Sequence, residues 1–122
     1  MQLTKNFNML EFDCKDGTKV PYEFVPNVTR LSDQLQIIRD HVGPLHILSG
    51  YRTESHNASI GGASHSQHLL GKAADMASRT HSPSKLKDVI EQLIIQGKIK
   101  DGGIGLYSSF LHYDIRENKA RW

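Results

Sequence analysis

The stretch from Ser49 to Ala77, SGYRTESHNASIGGASHSQHLLGKAADMA, constrains this chain more than any other because it concentrates His, Asp, Arg and Gly. Within it, Ser66-Gln67-His68-Leu69-Leu70-Gly71-Lys72-Ala73-Ala74-Asp75 sets an imidazole and a carboxylate seven positions apart, with small residues between them. His and Asp suit a borderline cation such as zinc. A helix would put both groups on one face two turns apart, but Gly71 in mid-segment argues against a helix. We expect a loop ending in a short strand, Ala73 to Ala77. A catalytic zinc takes three protein ligands and leaves one position for water, so a third ligand must come from elsewhere. His112, in Phe110-Leu111-His112-Tyr113-Asp114-Ile115, is the best candidate. Such a pair of distant segments can act together only if the chain folds back on itself.

The remaining chain offers the elements to do so. Val28, Leu31, Leu35, Ile38 and Val42 recur in steps of three and four, which predicts an amphipathic helix closed by Gly43-Pro44. Ser82-Pro83 supplies an N-cap and first turn, and Leu86, Val89, Ile90, Leu93 and Ile94 continue at helical spacing up to Gly97. Leu45 to Ser49 suits a buried strand that delivers Gly50-Tyr51-Arg52 to one end of a sheet. Gly102 to Tyr107 and Phe110 to Ile115 read as a hairpin around Ser108-Ser109. In its second strand Leu111, Tyr113 and Ile115 face the core, leaving His112 and Asp114 on the other side. Residues 1–26 predict a short helical turn followed by extended chain, with a turn at Asp16-Gly17 and a stop at Pro26. The Ser-, Asn- and Gly-rich segment from Thr53 to Ser64 predicts no regular element and is free to wrap the site. The expected architecture is α+β, a small antiparallel sheet packed with two main helices.

At 122 residues the chain is one domain, 1–122, large enough to bury about two thirds of its unfolded surface. Fifteen basic and 13 acidic residues are scattered without a block, so nucleic acid is not the expected partner. The mild basicity suits an anionic polymer of the cell wall. A single cysteine, Cys14, rules out an internal disulfide and a cysteine-held metal. No window approaches the roughly 18 apolar residues of a membrane span, and the N-terminus lacks the apolar run of a secretory signal. We expect a monomer made in the cytoplasm.

The pattern SxHxxGxAxD followed by HxD resembles the zinc D-Ala-D-Ala carboxypeptidases and related peptidoglycan peptidases of family M15, whose fold and metal ligands are shared with the hedgehog signalling domain. Leu3 to Phe7, Ser49 to Arg52, Gly61 to Ser64 and Lys119 to Trp122 resemble its short single-domain members from phages and bacteria, lysins among them. The resemblance implies one zinc per chain on His68, Asp75 and His112, and hydrolysis of peptide bonds in peptidoglycan stem peptides or cross-links. It also implies a substrate outside the cytoplasm, reached with separate help, as phage lysins do, or by a signal sequence outside the stretch given.

Arg52 offers a planar guanidinium able to clamp a carboxylate, and in the resembling enzymes an arginine of this motif holds the substrate's terminal carboxylate or a nearby peptide oxygen. Ser66 has three candidate roles: bonding substrate, orienting His68, or capping the loop. His65 reads as a loop histidine, and Tyr51, Tyr107 and Trp122 as core or rim aromatics. Several branches of the family carry an acidic general base three residues before the last His, where this chain has Ser109. Asp114 is the candidate in its place, with Glu54 behind it. That departure keeps open the alternative of an inactive zinc domain that binds cell-wall peptides or a protein partner.

Overall fold

A computed structural model describes residues 1–122. The two predicted helices form α1, Val25–Val42, and α3, Pro83–Ile95, with a short α2, Glu54–Ser59, between them. In α1 the predicted stripe Val28, Leu31, Leu35, Ile38 and Val42 is buried along its whole length. The helix begins three residues before the predicted start, since Pro26 sits in the first turn, where its missing N–H has no intrahelical partner to lose. Pro26 therefore opens α1 instead of closing the preceding segment. Before it, the expected helical turn is a 3-10 turn, Met9–Phe12. Tyr22–Phe24 forms a second such turn in place of extended chain. In α3 the Ser82 side chain accepts from the Lys85 N–H, and Leu86, Ile90 and Leu93 are buried.

Five strands, β1 (Leu45–Ser49), β2 (Ala73–Ser78), β3 (Gly103–Leu106), β4 (Leu111–Asp114) and β5 (Ala120–Arg121), make one sheet in the order β1-β2-β4-β3-β5. The first four pair antiparallel, as expected, and the short β5 adds a parallel edge beside β3 that the sequence did not announce. Helix α3 lies against β2, β3 and β4, and α1 packs on α3. Side chains of both helices join Ile47, Ala74, Met76, Ile104, Leu111 and Tyr113 in one core. Since successive strand residues alternate faces, sinking Ala74, Met76, Leu111 and Tyr113 into that core turns Asp75, His112 and Asp114 to the opposite face. The register then sets Asp75 directly across from His112, and Ala73 across from Asp114.

The segment Thr53–Ser64 departs from expectation. Thr53 Oγ1 accepts from the His56 N–H and starts α2, a Thr cap with Glu54 in the first turn outweighing the turn-forming composition. No helix is long and apolar enough to cross a membrane.

Candidate metal centre

Three loops and strands bring the ligand candidates together. A 3-10 turn, Gln67–Leu70, carries His68, while β2 carries Asp75 and β4 carries His112. Ser66 Oγ accepts from the His68 N–H at 3.2 Å and caps that turn, which is the capping role among its three candidates. Gly71 then ends the turn with φ +68°, a conformation suited to glycine, and a Cβ there would press on Val28 and Phe24. The reversal is what lets a loop histidine face the strand carboxylate seven positions later.

The donor atoms converge. His68 Nε2 lies 3.2 Å and His112 Nδ1 3.0 Å from Asp75 Oδ1, and the ligand atoms of the three residues all lie within 4.8 Å of one another. Each ligand is held from behind. His68 Nδ1–H donates to the Gly50 carbonyl at 2.7 Å, and since a carbonyl only accepts, the lone pair belongs to Nε2, on the side facing Asp75. His112 Nε2–H donates to Asp114 Oδ2 at 2.7 Å, which directs Nδ1 to the same point. Arg52 Nη2 donates to Asp75 Oδ2 at 3.0 Å and leaves Oδ1 toward the imidazoles. Two imidazoles and one carboxylate with their outer faces fixed match the donor set and supporting bonds of a zinc site.

Burial and the neighbouring charges pull these three groups in different directions. Burial pushes His68 below the usual imidazole range, which favours the neutral ligand form. Burial also opposes charge on His112, but its bonds to Asp114 and Asp75 together outweigh it and raise the pKa. Burial alone would raise Asp75, yet the bonds from His112 and His68 hold it well below the usual carboxylate range.

Asp114 is fully buried, and its oxygens accept from His112 Nε2, Gly103 N, Arg116 N, Arg116 Nε and Arg116 Nη2. Five N–H donors therefore enclose this carboxylate, His112 among them. Arg52, which lines the same pocket, is also held in place. Nε donates to Ser49 Oγ, Nη1 to Asn57 Oδ1 and Nη2 to Asp75, so each nitrogen already serves the frame of the site. Glu54 lines a neighbouring depression with Arg52 and Ser66, away from the ligands. Ser109 lines a separate one beside Met76 and Leu86.

The ligands open into a pocket of about 460 Å³ whose walls include Arg52, His65, Ser66, Tyr107, Arg116 and Trp122. None of His41, His46, His56 or His81 lines it. Sequence reasoning missed Arg116 and the buried Asn57, which holds Arg52 through Oδ1 and Ala63 O through Nδ2. Arg116 follows Asp114 at a spacing of two, a signal that stood next to the HxD motif. Trp122, expected as a rim aromatic, does lie at the rim, its ring centroid 4.9 Å from that of His112.

The family model described as peptidase M15 matches residues 5–114. The chain belongs to the peptidase M15 family. The match spans both halves of the donor set, and a search of the curated proteins returned no match. Membership points to a hydrolase of the metallopeptidase kind, in which the buried His68, Asp75 and His112 form a group able to bind a metal ion.

In this M15 chain the backbone beneath the site is tight. A Cβ on Gly50 would lie 2.7 Å from Phe12 Cα and 2.9 Å from Phe12 O, both backbone atoms that cannot swing aside. Gly50→Ala is therefore expected to cost about 1–3 kcal/mol of stability. The displaced Gly50 carbonyl would also loosen His68. Thermal melts with and without added zinc check this, and a melt like the parent's in both conditions refutes it.

Proposed function

We propose that this protein is a zinc-dependent peptidase that hydrolyses peptide bonds of peptidoglycan stem peptides or cross-links, with one zinc per chain on His68, Asp75 and His112. The observation that carries the reading is the convergence of His68 Nε2, Asp75 Oδ1 and His112 Nδ1 at the floor of an open pocket in an M15 chain. Zinc bound there would polarise the scissile carbonyl and activate water near neutral pH.

The chain's own residues prepare that chemistry. Gly50 and Asp114 fix the tautomers of the two imidazoles, and Arg52 fixes the rotation of Asp75. Asp114 in this reading orients His112 and is not the general base. Besides the ligands and the arginines, His65 and Tyr107 are the titratable groups in the wall, so proton exchange with substrate falls to them or to solvent. Ser66, on the same wall, has its hydroxyl proton free to meet a substrate carbonyl while its oxygen caps the His68 turn.

One observation favours a second reading, a zinc domain that binds such peptides without cleaving them. No carboxylate other than Asp75 lines the pocket. Digestion of purified peptidoglycan by the zinc-loaded protein, followed by mass analysis of the fragments, separates the two. New termini at one peptide bond, absent after chelation, are expected. Unchanged muropeptides from fully zinc-loaded protein would leave the binding domain.

A further inference from the structure

A second depression, of about 610 Å³, adjoins the metal pocket and shares Arg52 and residues 64–67 with it. Separate segments build its far side. Glu23 and Phe24 come from the 3-10 turn before α1, Tyr51 follows β1, Glu54 opens α2, and Leu69 and Leu70 come from the turn that carries His68. The rings of Phe24 and Tyr51 pack with centroids 5.8 Å apart and planes inclined by 36°. With Leu69 and Leu70 they give the depression an apolar surface suited to an aliphatic chain.

The polar groups on that side are oxygen acceptors. Glu23 and Glu54 are exposed, and neither carboxylate is engaged in an ion pair or a side-chain hydrogen bond. Tyr51 lies deeper, at 9% exposure, and its hydroxyl has no hydrogen-bond partner. No fully buried side-chain atom in the chain lacks a partner, so this hydroxyl must reach the open space of the depression. Burial raises the Tyr51 phenol above its usual value, and Cys14, Asp16, Glu23 and Glu54 add to that, which shows that both glutamates act on the hydroxyl. The basic groups of the shared wall are Arg52 and His65, and Arg52 turns its nitrogens to Ser49, Asn57 and Asp75. An anionic ligand would meet two like charges here. A primary ammonium instead offers three N–H donors to the three groups and a positive charge to the aromatic faces.

We infer that this depression binds a side chain ending in a primary ammonium on an aliphatic stem, with Glu23, Glu54 and Tyr51 receiving the ammonium and Phe24, Leu69 and Leu70 covering the stem. The inference rests on the peptidase reading of the adjoining pocket and adds a selectivity to it: peptides that carry a lysine-like residue near the bond presented to the metal. The shared wall makes the two depressions contiguous, so one peptide can occupy both.

The test follows the backbone amide resonances of the zinc-loaded, isotope-labelled chain during titration with Nα-acetyl-lysine methylamide of either hand. Nα-acetyl-norleucine methylamide supplies the stem without the charge, and norleucine methylamide carries the charge on its α-amino group instead. The lysine compound is expected to shift the amides of Phe24, Leu69 and Leu70 and to bind about 10-fold more tightly than acetyl-norleucine methylamide. That is the lower end for hydrogen bonds to a charged group, because both carboxylates are exposed. The double variant Glu23→Gln, Glu54→Gln should erase the preference with zinc retained, and since neither side chain is bonded in the fold its melt should match the parent's. Tyr51→Phe should reduce the preference in part. Equal binding of the lysine and acetyl-norleucine compounds, no shift at those amides, or an undiminished preference in the double variant overturns the inference. Tighter binding of norleucine methylamide than of the lysine compound also overturns it, by assigning the depression to an amino terminus. Digestion of peptidoglycan by the same preparation tests the peptidase reading separately. New peptide termini without a lysine preference remove the subsite alone, and a lysine preference without new termini leaves the subsite on a domain that binds but does not cleave.

Discussion

Replacing His68, Asp75 or His112 with alanine is expected to abolish stoichiometric zinc and, with it, hydrolysis. The loss should exceed the roughly 10- to 100-fold that follows from removing a partner behind a ligand, because two protein donors rarely hold zinc. The three variants should differ in stability once metal is stripped. Asp75→Ala leaves Arg52, 12% exposed, without its carboxylate, and an unpaired buried charge costs about 3–5 kcal/mol. His68→Ala leaves the Gly50 carbonyl without a donor, a smaller loss of about 1–3 kcal/mol. Elemental analysis gives the metal content, and melts in chelator give the order. A variant that keeps one zinc per chain removes that residue from the ligand set. A chelated Asp75→Ala melting above His68→Ala would show that Arg52 finds another partner.

The second large effect is expected at Asp114→Asn. Both ends of this carboxylate face donors: Oδ1 receives Gly103 N, Arg116 N and Arg116 Nε, and Oδ2 receives His112 Nε2 and Arg116 Nη2. An amide NH₂ at either end therefore meets N–H groups. If it faces His112, the imidazole relieves the clash by moving its proton to Nδ1, the nitrogen that must stay free for the metal. Zinc affinity should fall about 10- to 100-fold, and activity should partly return as zinc is raised. A general base at this position predicts the opposite pairing, with zinc retained and turnover lower by roughly 10²-fold. Zinc titrations and rates on one preparation distinguish the two. Full zinc and full activity together would reject both roles for Asp114.

The burial of Asp114 also explains how far the site was legible beforehand. The grouping of His68, Asp75 and His112 could be anticipated because its signals are local: an imidazole and a carboxylate at fixed spacing with a glycine between them, and an HxD whose strand alternation sends both polar groups to one face. The same holds for α1 and α3, whose apolar stripes and stops depend only on neighbours along the chain. Strand alternation correctly put Asp114 beside His112, but it gave no information on what else would reach Asp114. Arg116 and Gly103 fill the rest of its surface, and Gly103 arrives through the register of β3 on β4. Register is set by which faces the core claims across several strands, and spacing within one segment does not encode it.

Local pattern alone announced the candidate donor residues, their order along the chain, the two main helices and four of the strands. The partners of each polar group came from the packing of distant segments. That packing assigned Arg52 to Asp75 and Asn57, Arg116 to Asp114 and Trp122, and α2 to a segment whose composition favoured turns. The physical reason is that a local pattern reports how a residue prefers to sit relative to its chain neighbours. The role of a guanidinium or a carboxylate depends on which opposite charge lies within about 3 Å, and those charges come from distant segments brought together by burial of the core.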